Sequence, residues 1–542
     1  METSAESPAR PVARLSIPAA ALVGVLALVA ALAAGHLVAA FVGINASPYL
    51  AVGNSAIDLT PTPVKDFAVQ TFGIYDKLVL LAGMAVVMLL VAVVAGVLSR
   101  RSPLPGTVAI VLLGVVAGIA VFSRPDLSAV ALLAPAASLL AGVVAFRWLH
   151  TLGTRRSTPA LGLTELGEDD ESELPAERAP RGKPEPVPGR RGFLLGAGGV
   201  AVGAGVAGLG GQLVARTTSA ASSRAEIGRL VPVRAAPPIP PGADFARAGT
   251  PTFLTPNPAF YRVDTALVVP QVRAEDWSLR IHGMVDRELS FSYDDIRDRP
   301  LVERTITMTC VSNEVGGPYI STANFLGVDL RHLLVEAGVR PGAEQLYSTS
   351  VDGYTAGTPI VTTMDPDREA MLAIGMNGEP LPLDHGFPAR LVVPGLYGYV
   401  SATKWVTDLE VTTWAARKSY WLQRGWGQQA PIKTQSRIDT PKGFQTLPAG
   451  RVVIAGIAWA QTTGITKVEI RLGTGPWQEA LLSTEVNEDT WRMWRVDLDL
   501  PPGNHQVACR ATDDSGYTQT SDRVGTVPDG ATGWHTISFT TR

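Results

Sequence analysis

The sequence predicts a fold in three parts: about five transmembrane α-helices at the N-terminus, then an α+β domain, then an all-β immunoglobulin-like sandwich. Three observations carry this reading. Apolar residues make up 46% of the 542 and are concentrated in long runs before residue 215. Residues 258–414 mix β-branched runs with short helical patterns. From 450 onward strand follows strand, with turn residues between them.

The first span is 17–43, apolar apart from His36, and the second is 77–98. A shorter third covers 107–122, a fourth 127–148, and a Gly/Ala-rich fifth 192–214. Small residues in the fifth permit close helix packing. Basic residues set the orientation. Arg10 and Arg14 precede the first span, Arg100 and Arg101 follow the second, Arg147 stands at the end of the fourth, and Arg155, Arg156, Arg190 and Arg191 lie between the fourth and fifth. The loop after the first span has Lys65 offset by Asp66, and the loop after the third has Arg124 with Asp126. The N-terminus therefore sits inside and everything after the fifth span outside the cytoplasm. His36 and His150 fall at opposite faces in this topology, too far apart to share a haem, and read as structural.

Residues 1–150 thus form a four-span region. Residues 151–191, rich in Pro, Glu and Arg and carrying GEDDESE at 167–173, read as a disordered cytoplasmic linker. It ends in PGRRGFLLGAGG at 188–199, opening the segment 192–215. Two arginines, a phenylalanine and an apolar run resemble a twin-arginine export signal; the plain alternative is positive-inside flanking charge. Placement favours export, since such a signal would carry a folded domain across. Residues 216–250, rich in Ala, Pro and Arg, read as a second linker.

Beyond it, 251–430 reads as one domain and 431–542 as another. VDLRHLLVEAG (328–338) is an amphipathic helix with a glycine stop, and LRIHGMV (279–285), RLVVPG (390–395) and WVTDLEVTTW (405–414) are strands. GRVVIAGIAWA, ITKVEIRLG, MWRVDLDL and HQVACRATD supply the strands of the sandwich.

Net charge of −3 gives no reason to expect a nucleic-acid partner. Two cysteines exclude a disulfide-rich scaffold, and no spacing signals zinc or covalent haem. One of them, Cys310, stands in TMTCVSNEVGG (307–317), just before the pair Gly316-Gly317. By itself this is either a small hydrophobe at a strand end or a thiolate for a metal or substrate. Cys509, in strand alternation, reads as core, with a Cys310–Cys509 disulfide as the oxidising-compartment alternative.

From 252 to 542 the chain resembles the catalytic part of the sulfite oxidase family of molybdenum-cofactor enzymes. TPNPAFYR (255–262) resembles the family's entry motif and TMTCVSNEVGG its cysteine loop. SVDGYTAGTPI (350–360) and the stretch 364–405 resemble its cofactor-binding region, the most specific of the matches. The resemblance implies one molybdenum–molybdopterin per chain, with Cys310 giving its thiolate to the metal. A soft sulfur ligand suits a redox-active metal, and glycines 316 and 317 allow close backbone approach. His385 and Arg390, in HGFPAR, match cofactor-binding positions, an arginine fork suiting a phosphate-bearing tail. Lys404, with Ala402 and Thr403, matches a phosphate site. Asn257, Tyr261 and Arg262 match the entry motif, and Asp352 a further contact.

The departures concern substrate. Sulfite-oxidising members follow their cysteine with arginines, whereas 311–315 here has none and carries Glu314. A family tryptophan is Phe325, and the active-site tyrosine falls near Trp426. Arg262 remains as an anion ligand, with Arg424 nearby in sequence, and Trp405, Trp421 and Trp426 are candidates to shape a pocket. The expected function is oxygen-atom transfer on sulfite or another small oxo or sulfur compound, with Cys310, Arg262 and Trp426 at the reacting centre. Two alternatives stand beside it: a sulfoxide-type reductase, and a metal-free membrane-anchored binding module. No cytochrome domain is recognisable, so a separate cytochrome or membrane carrier is expected to exchange electrons. The resemblance also implies a homodimer through the terminal domain.

Overall fold

The computed structural model describes residues 14–61, 64, 67, 68, 71, 72, 75–124, 127–154, 190–217 and 220–542. The linker expected at 151–191 lies almost wholly outside them, as do Arg10, Lys65, Asp66, Asp126, Arg155 and Arg156. The chain divides into two compact units, Met1–Thr217 and Thr218–Arg542.

In the first unit, α1 (Ile17–Val42), α2 (Pro48–Leu59), α3 (Asp76–Leu98), α4 (Leu104–Phe122), α5 (Leu133–Thr154) and α6 (Arg190–Thr217) follow in order. Four segments are long and apolar enough to cross a membrane: Ile17–Val42, Asp76–Leu98, Leu104–Phe122 and Ala129–Thr154. In α6 the apolar stretch is shorter, Gly192–Ala207, or roughly 24 Å of helix against a hydrocarbon core of about 30 Å. Small residues set the packing. A Cβ on Gly24 of α1 would collide with the Ala92 carbonyl of α3, and one on Gly96 of α3 with the Ala20 carbonyl of α1. Ser16 caps α1 by accepting from the Ala19 amide. The short α2 escaped the sequence reading because its hydropathy is interrupted by Asn54 and Asp58. His150 is buried and bonds through Nε2 to the Ser99 carbonyl at 2.8 Å, a structural role as expected.

The second unit opens with α7 (Ala220–Ile227). Residues 220–250, expected as a linker, are instead strapped to the domain. Arg224 donates to the Pro380 and Leu381 carbonyls, Ser223 is buried against Glu275, and Leu230 joins the core. Composition shows the Pro and Ala of this segment, but not these single anchors.

Strands β1 (Ser278–Gly283), β2 (Leu289–Ser292), β3 (Val302–Thr309), β4 (Ile320–Asp329), β5 (Gln345–Ser350), β6 (Thr355–Pro359), β7 (Met371–Met376), β8 (Glu379–Pro380), β9 (Arg390–Val392) and β10 (Val406–Thr412) build two sheets. One has the order β2-β1-β10-β5-β6, the other β3-β4-β7-β8 with β9 on β7. The helix predicted at 328–338 spans Leu330–Ala337, capped by Asp329 and stopped at Gly338 with φ +74°. Leu330, Leu333, Leu334 and Ala337 face the core at i, i+3, i+4 and i+7.

The remaining strands, β11 (Gln435–Thr440), β12 (Thr446–Leu447), β13 (Gly450–Trp459), β14 (Ile465–Leu472), β15 (Trp477–Glu479), β16 (Leu481–Leu482), β17 (Arg492–Leu500), β18 (Gly503–Asp513) and β19 (His535–Thr541), form a β-rich C-terminal region. Its sheets run β11-β13-β17-β16 and β12-β19-β18-β14-β15. Alternate residues of both, among them Ile454, Trp494, Val468, Val507 and Phe539, share one buried core. Cys509 lies in that core at 0% exposure, touching Ser436 Oγ at 3.2 Å, and both cysteines are free. The Cys310–Cys509 disulfide is therefore excluded: Cys509 belongs to one core, and Cys310 lines a cavity in the other domain.

Candidate active site

Cys310 follows β3 directly, where six consecutive buried residues end the strand. Its amide donates to the Tyr319 carbonyl at 3.0 Å, and the Asn313 amide donates back to the Cys310 carbonyl at 3.0 Å. Asn313 Oδ1 then accepts from the Tyr319 amide at 2.8 Å, closing the loop on itself. The sulfur faces a cavity lined also by Tyr261, Asp352, His385, Arg390, Ala402 and Lys404. An aromatic wall of Tyr354, Tyr399, Trp405, Trp421 and Trp426 completes it.

The cations Arg390 and Lys404, 14 positions apart, meet at the turn of Gly386. Gly386, at φ +110°, sits where a Cβ would lie 3.0 Å from Lys404 Cβ and 3.1 Å from Arg390 Cβ, so glycine lets the two approach. Arg390 is only 4% exposed. Its guanidinium donates to three carbonyl oxygens, His385 from Nη1 at 3.2 Å, Ala402 from Nη2 and Leu391 from Nε, both at 3.4 Å, and stands 5.8 Å from the Phe325 ring centre. Among the described residues no carboxylate pairs with it, and burial pulls its pKa down to about 10. Lys404 Nζ pairs with Asp264 Oδ2 at 2.9 Å and lies 4.6 Å from the Trp405 ring centre. His385 Nε2 lies 3.0 Å from the Asn257 carbonyl. Burial, then the Arg390 charge, lower the His385 pKa to about 4. The ring is therefore neutral, donates from Nε2, and keeps Nδ1 as an acceptor. Burial pushes the Cys310 thiol above its ordinary pKa, while the Ser312 amide and hydroxyl pull the other way. The free thiol keeps its proton at neutral pH, and a metal would displace it.

Lys404 has a pH signature. Burial lowers its pKa to about 8, against the pull of Asp264, whereas the unfolded value is about 10.4. Between these values the unfolded chain binds more protons, so stability rises with pH. Below pH 8 the folded state bears the whole cost of the buried charge. Cofactor-free wild type is expected to gain up to about 2 kcal/mol relative to Lys404→Met between pH 7.5 and 9.5. Urea unfolding followed by tryptophan fluorescence checks this, and parallel pH profiles would refute it.

Of the expected site residues, Tyr261, Cys310, Asp352, His385, Arg390, Ala402, Lys404 and Trp426 line the cavity. Three do not. Asn257 turns its side chain to Asn377 and Glu379 and serves through its carbonyl. Thr403 is buried, bonded to Ser348 Oγ at 2.7 Å. Arg262, expected at the reacting centre, is exposed and turns to Asp264 at 2.9 Å, which already holds Lys404. Arg424 is likewise drawn off, stacked 3.6 Å from the Tyr420 ring centre. Glu314 is exposed and outside the lining, so it brings no repulsion to the cavity.

Sequence reasoning missed Asp264, which holds Arg262 and also Lys404, 140 positions further along the chain. It also missed Tyr354 and Tyr399. Tyr354 donates its hydroxyl to the Tyr399 carbonyl at 2.8 Å, and Tyr399 donates to the Gly427 carbonyl at 2.6 Å. Both stand in the motifs quoted above, and their aromatic type was the available signal. Glycines 316 and 317 serve the loop itself: a Cβ on Gly316 would collide with the His535 imidazole, and one on Gly317 would lie 2.7 Å from Asn313 Oδ1.

Residues 266–421 match the family model described as oxidoreductase molybdopterin binding domain. The match lies wholly within the second unit and includes Cys310, Asp352, His385, Arg390 and Lys404. Among curated relatives, mitochondrial sulfite oxidase of Homo sapiens is 31% identical over 51% of this chain and 59% of its own length. Inducible nitrate reductase [NADH] 1 of Glycine max is 27% identical over 49% of this chain and 37% of its own length. The chain therefore spans under two thirds of either. Among solved structures, the sulfane dehydrogenase SoxCD of Paracoccus pantotrophus aligns with a TM-score of 0.47 at 24% identity, over 55% of this chain and 85% of that one.

The residues present fit such a cofactor. A pterin with a phosphate tail and sulfur ligands wants buried cations, hydrogen-bond donors and a thiol. The cavity holds Arg390 without an acid, the Cys310 thiol, and two buried donors, Ser350 Oγ and Trp426 Nε1, that find no partner among the described residues.

Proposed function

We propose that the chain is a membrane-anchored molybdenum-cofactor oxidoreductase that transfers an oxygen atom to or from a small substrate. One observation carries the reading: a single cavity joins a free thiol to a buried guanidinium with no carboxylate partner among the described residues. Arg390 and Lys404 would hold the anionic tail, His385 would accept from a pterin N–H through Nδ1, and Cys310 would bind the metal. The bound cofactor supplies the two-electron redox chemistry. The chain supplies orientation, a dry aromatic wall, and the Trp426 indole N–H as a hydrogen-bond donor to a substrate oxygen. The test is molybdenum content of protein purified from membranes of a host that makes molybdopterin. About one atom per chain is expected, and well-folded protein without molybdenum would favour the metal-free binding module.

A second reading of the substrate has its own support. Once the cofactor takes Arg390 and Lys404, no arginine remains among the described lining residues for a sulfite anion, Asp264 and Asp352 add carboxylates, and one wall is aromatic. An uncharged sulfoxide-type oxide fits that wall better. Sulfite oxidation with an artificial acceptor, set against sulfoxide reduction with an artificial donor, separates the two.

The expected topology belongs to the same proposal: five spans with α6 as the last, and the second unit outside the cytoplasm, exchanging electrons with a separate carrier. The C-terminal region would be an immunoglobulin-type sandwich able to pair two copies. The Arg190/Arg191 pair tests the export arm. Replacing both with lysine is expected to leave the first four spans inserted and to retain the second unit inside. Protease added outside intact cells should then fail to cut it. Cleavage equal to wild type would remove the export signal from the reading.

A further inference from the structure

The strand that delivers Cys310 is an edge strand. β3 pairs with β4 on one side, at the end of its sheet. Its other side carries N–H and C=O groups that need partners. At the start of the strand the Arg234 carbonyl accepts from the Glu303 amide at 2.8 Å, and towards Cys310 the C-terminal β region provides the partners. Asp489 accepts from the Thr307 amide at 3.0 Å, and Asn487 Nδ2 donates to the Thr305 carbonyl at 3.1 Å. The Trp491 amide donates to Thr307 Oγ1 at 2.8 Å. Gln461 Nε2 donates to the Thr307 carbonyl at 3.2 Å and to Thr309 Oγ1 at 3.1 Å. Thr309 is the residue before Cys310.

The loop beyond Cys310 is gripped by the same region. Arg437, in β11, donates from Nη1 to the Gly317 carbonyl at 2.8 Å while Nη2 pairs with Asp439 at 2.9 Å. Arg437 and Asp439 are both buried. His535, at the start of β19, packs so closely on Gly316 that a side chain there would collide with it. The loop's own bonds, from Cys310 to Tyr319 and from Tyr319 to Asn313, make it one body. Moving Gly317 therefore moves the sulfur.

We infer that the C-terminal β region is part of the active site, with Gln461 and Arg437 as positioning residues that fix where the Cys310 sulfur stands. The inference rests on Cys310 being the thiol of the site, and it concerns placement rather than loading. The test uses full-length protein from a host unable to make molybdopterin. The rate at which a maleimide labels Cys310 is read by mass spectrometry, with Cys509, fully buried in the other core, as internal control.

Gln461→Leu is expected to raise the Cys310 rate about tenfold, the factor that one lost buried hydrogen bond gives to local opening. Arg437→Gln should do the same, and Arg437→Lys should restore most of the protection. Cys509 labelling should stay at its wild-type rate throughout. Rates within twofold of wild type in both variants overturn the inference, and so does a rise matched at Cys509, which marks general loosening. If Arg437→Gln does not fold, Gln461→Leu decides alone, because it strips no partner from a buried charge. In cofactor-loaded protein, Gln461→Leu should also shift the visible absorption bands, and unshifted bands count against positioning. Since labelling is read without the cofactor, failure to load molybdenum overturns the oxidoreductase reading and leaves this result intact.

Discussion

Cys310→Ala is expected to lower oxygen-transfer turnover by more than about 100-fold, beyond the 10–100-fold typical of losing an outer partner of a metal ligand. Molybdenum should nevertheless remain in the protein. Arg390, Lys404 and His385, which in the proposed function would hold the organic part of the cofactor, line the same cavity and are untouched by the change. What is lost is the protein's own sulfur, and with it the soft donor that tunes the metal. The visible absorption spectrum should therefore change while elemental analysis finds molybdenum within a few-fold of wild type. Cys310→Ser is no rescue, because a hard alkoxide differs from a thiolate in donor character. A Cys310→Ala protein with wild-type spectrum and turnover would return Cys310 to the role of a small buried hydrophobe.

Arg390→Met should act in opposite directions with and without cofactor. In the empty protein Arg390 is a buried charge with three carbonyl contacts and no carboxylate partner among the described residues. Replacing a buried ion pair by apolar side chains of similar volume is often neutral or stabilising by about 1–4 kcal/mol, and a buried charge without a counter-ion bears the same desolvation cost with less to offset it. The cofactor-free variant should accordingly unfold at the same or a higher urea concentration than wild type. In the loaded protein the guanidinium would make charge-assisted bonds of about 1.5–3 kcal/mol each to the anionic tail. Losing two of them lowers affinity by about 10²–10⁴. Molybdenum content after dialysis should fall correspondingly. A variant less stable than wild type when empty, yet fully loaded, would show that Arg390 serves the fold rather than the ligand.

Much of this site was legible in the sequence, for reasons that differ by residue. His385, Gly386 and Arg390 lie within one turn, so their spacing carries the geometry almost directly. Cys310 was ambiguous by itself and gained meaning only from flanking motifs. Asn257 acts through a backbone carbonyl, which any residue supplies, so its side chain was a misleading signal. Arg262 has the right chemistry, but Asp264 lies two residues away and claims it. That same carboxylate reaches Lys404 only after folding, which no local pattern reveals. The long spans were legible because 20 or so apolar residues have few other uses. The strap at 220–250 was not, since its attachment depends on Arg224 meeting two carbonyls far along the chain.

The covered edge of β3 also imposes a schedule on the cell. Residues 487–491, which close that edge, leave the ribosome roughly 180 residues after Thr309, or about 10–40 s later at 5–20 residues per second. Throughout that interval the strand leading to Cys310 is an open template for the wrong neighbour. A chaperone that shields it would serve this protein, and in the proposed topology so would transport delayed until synthesis is finished.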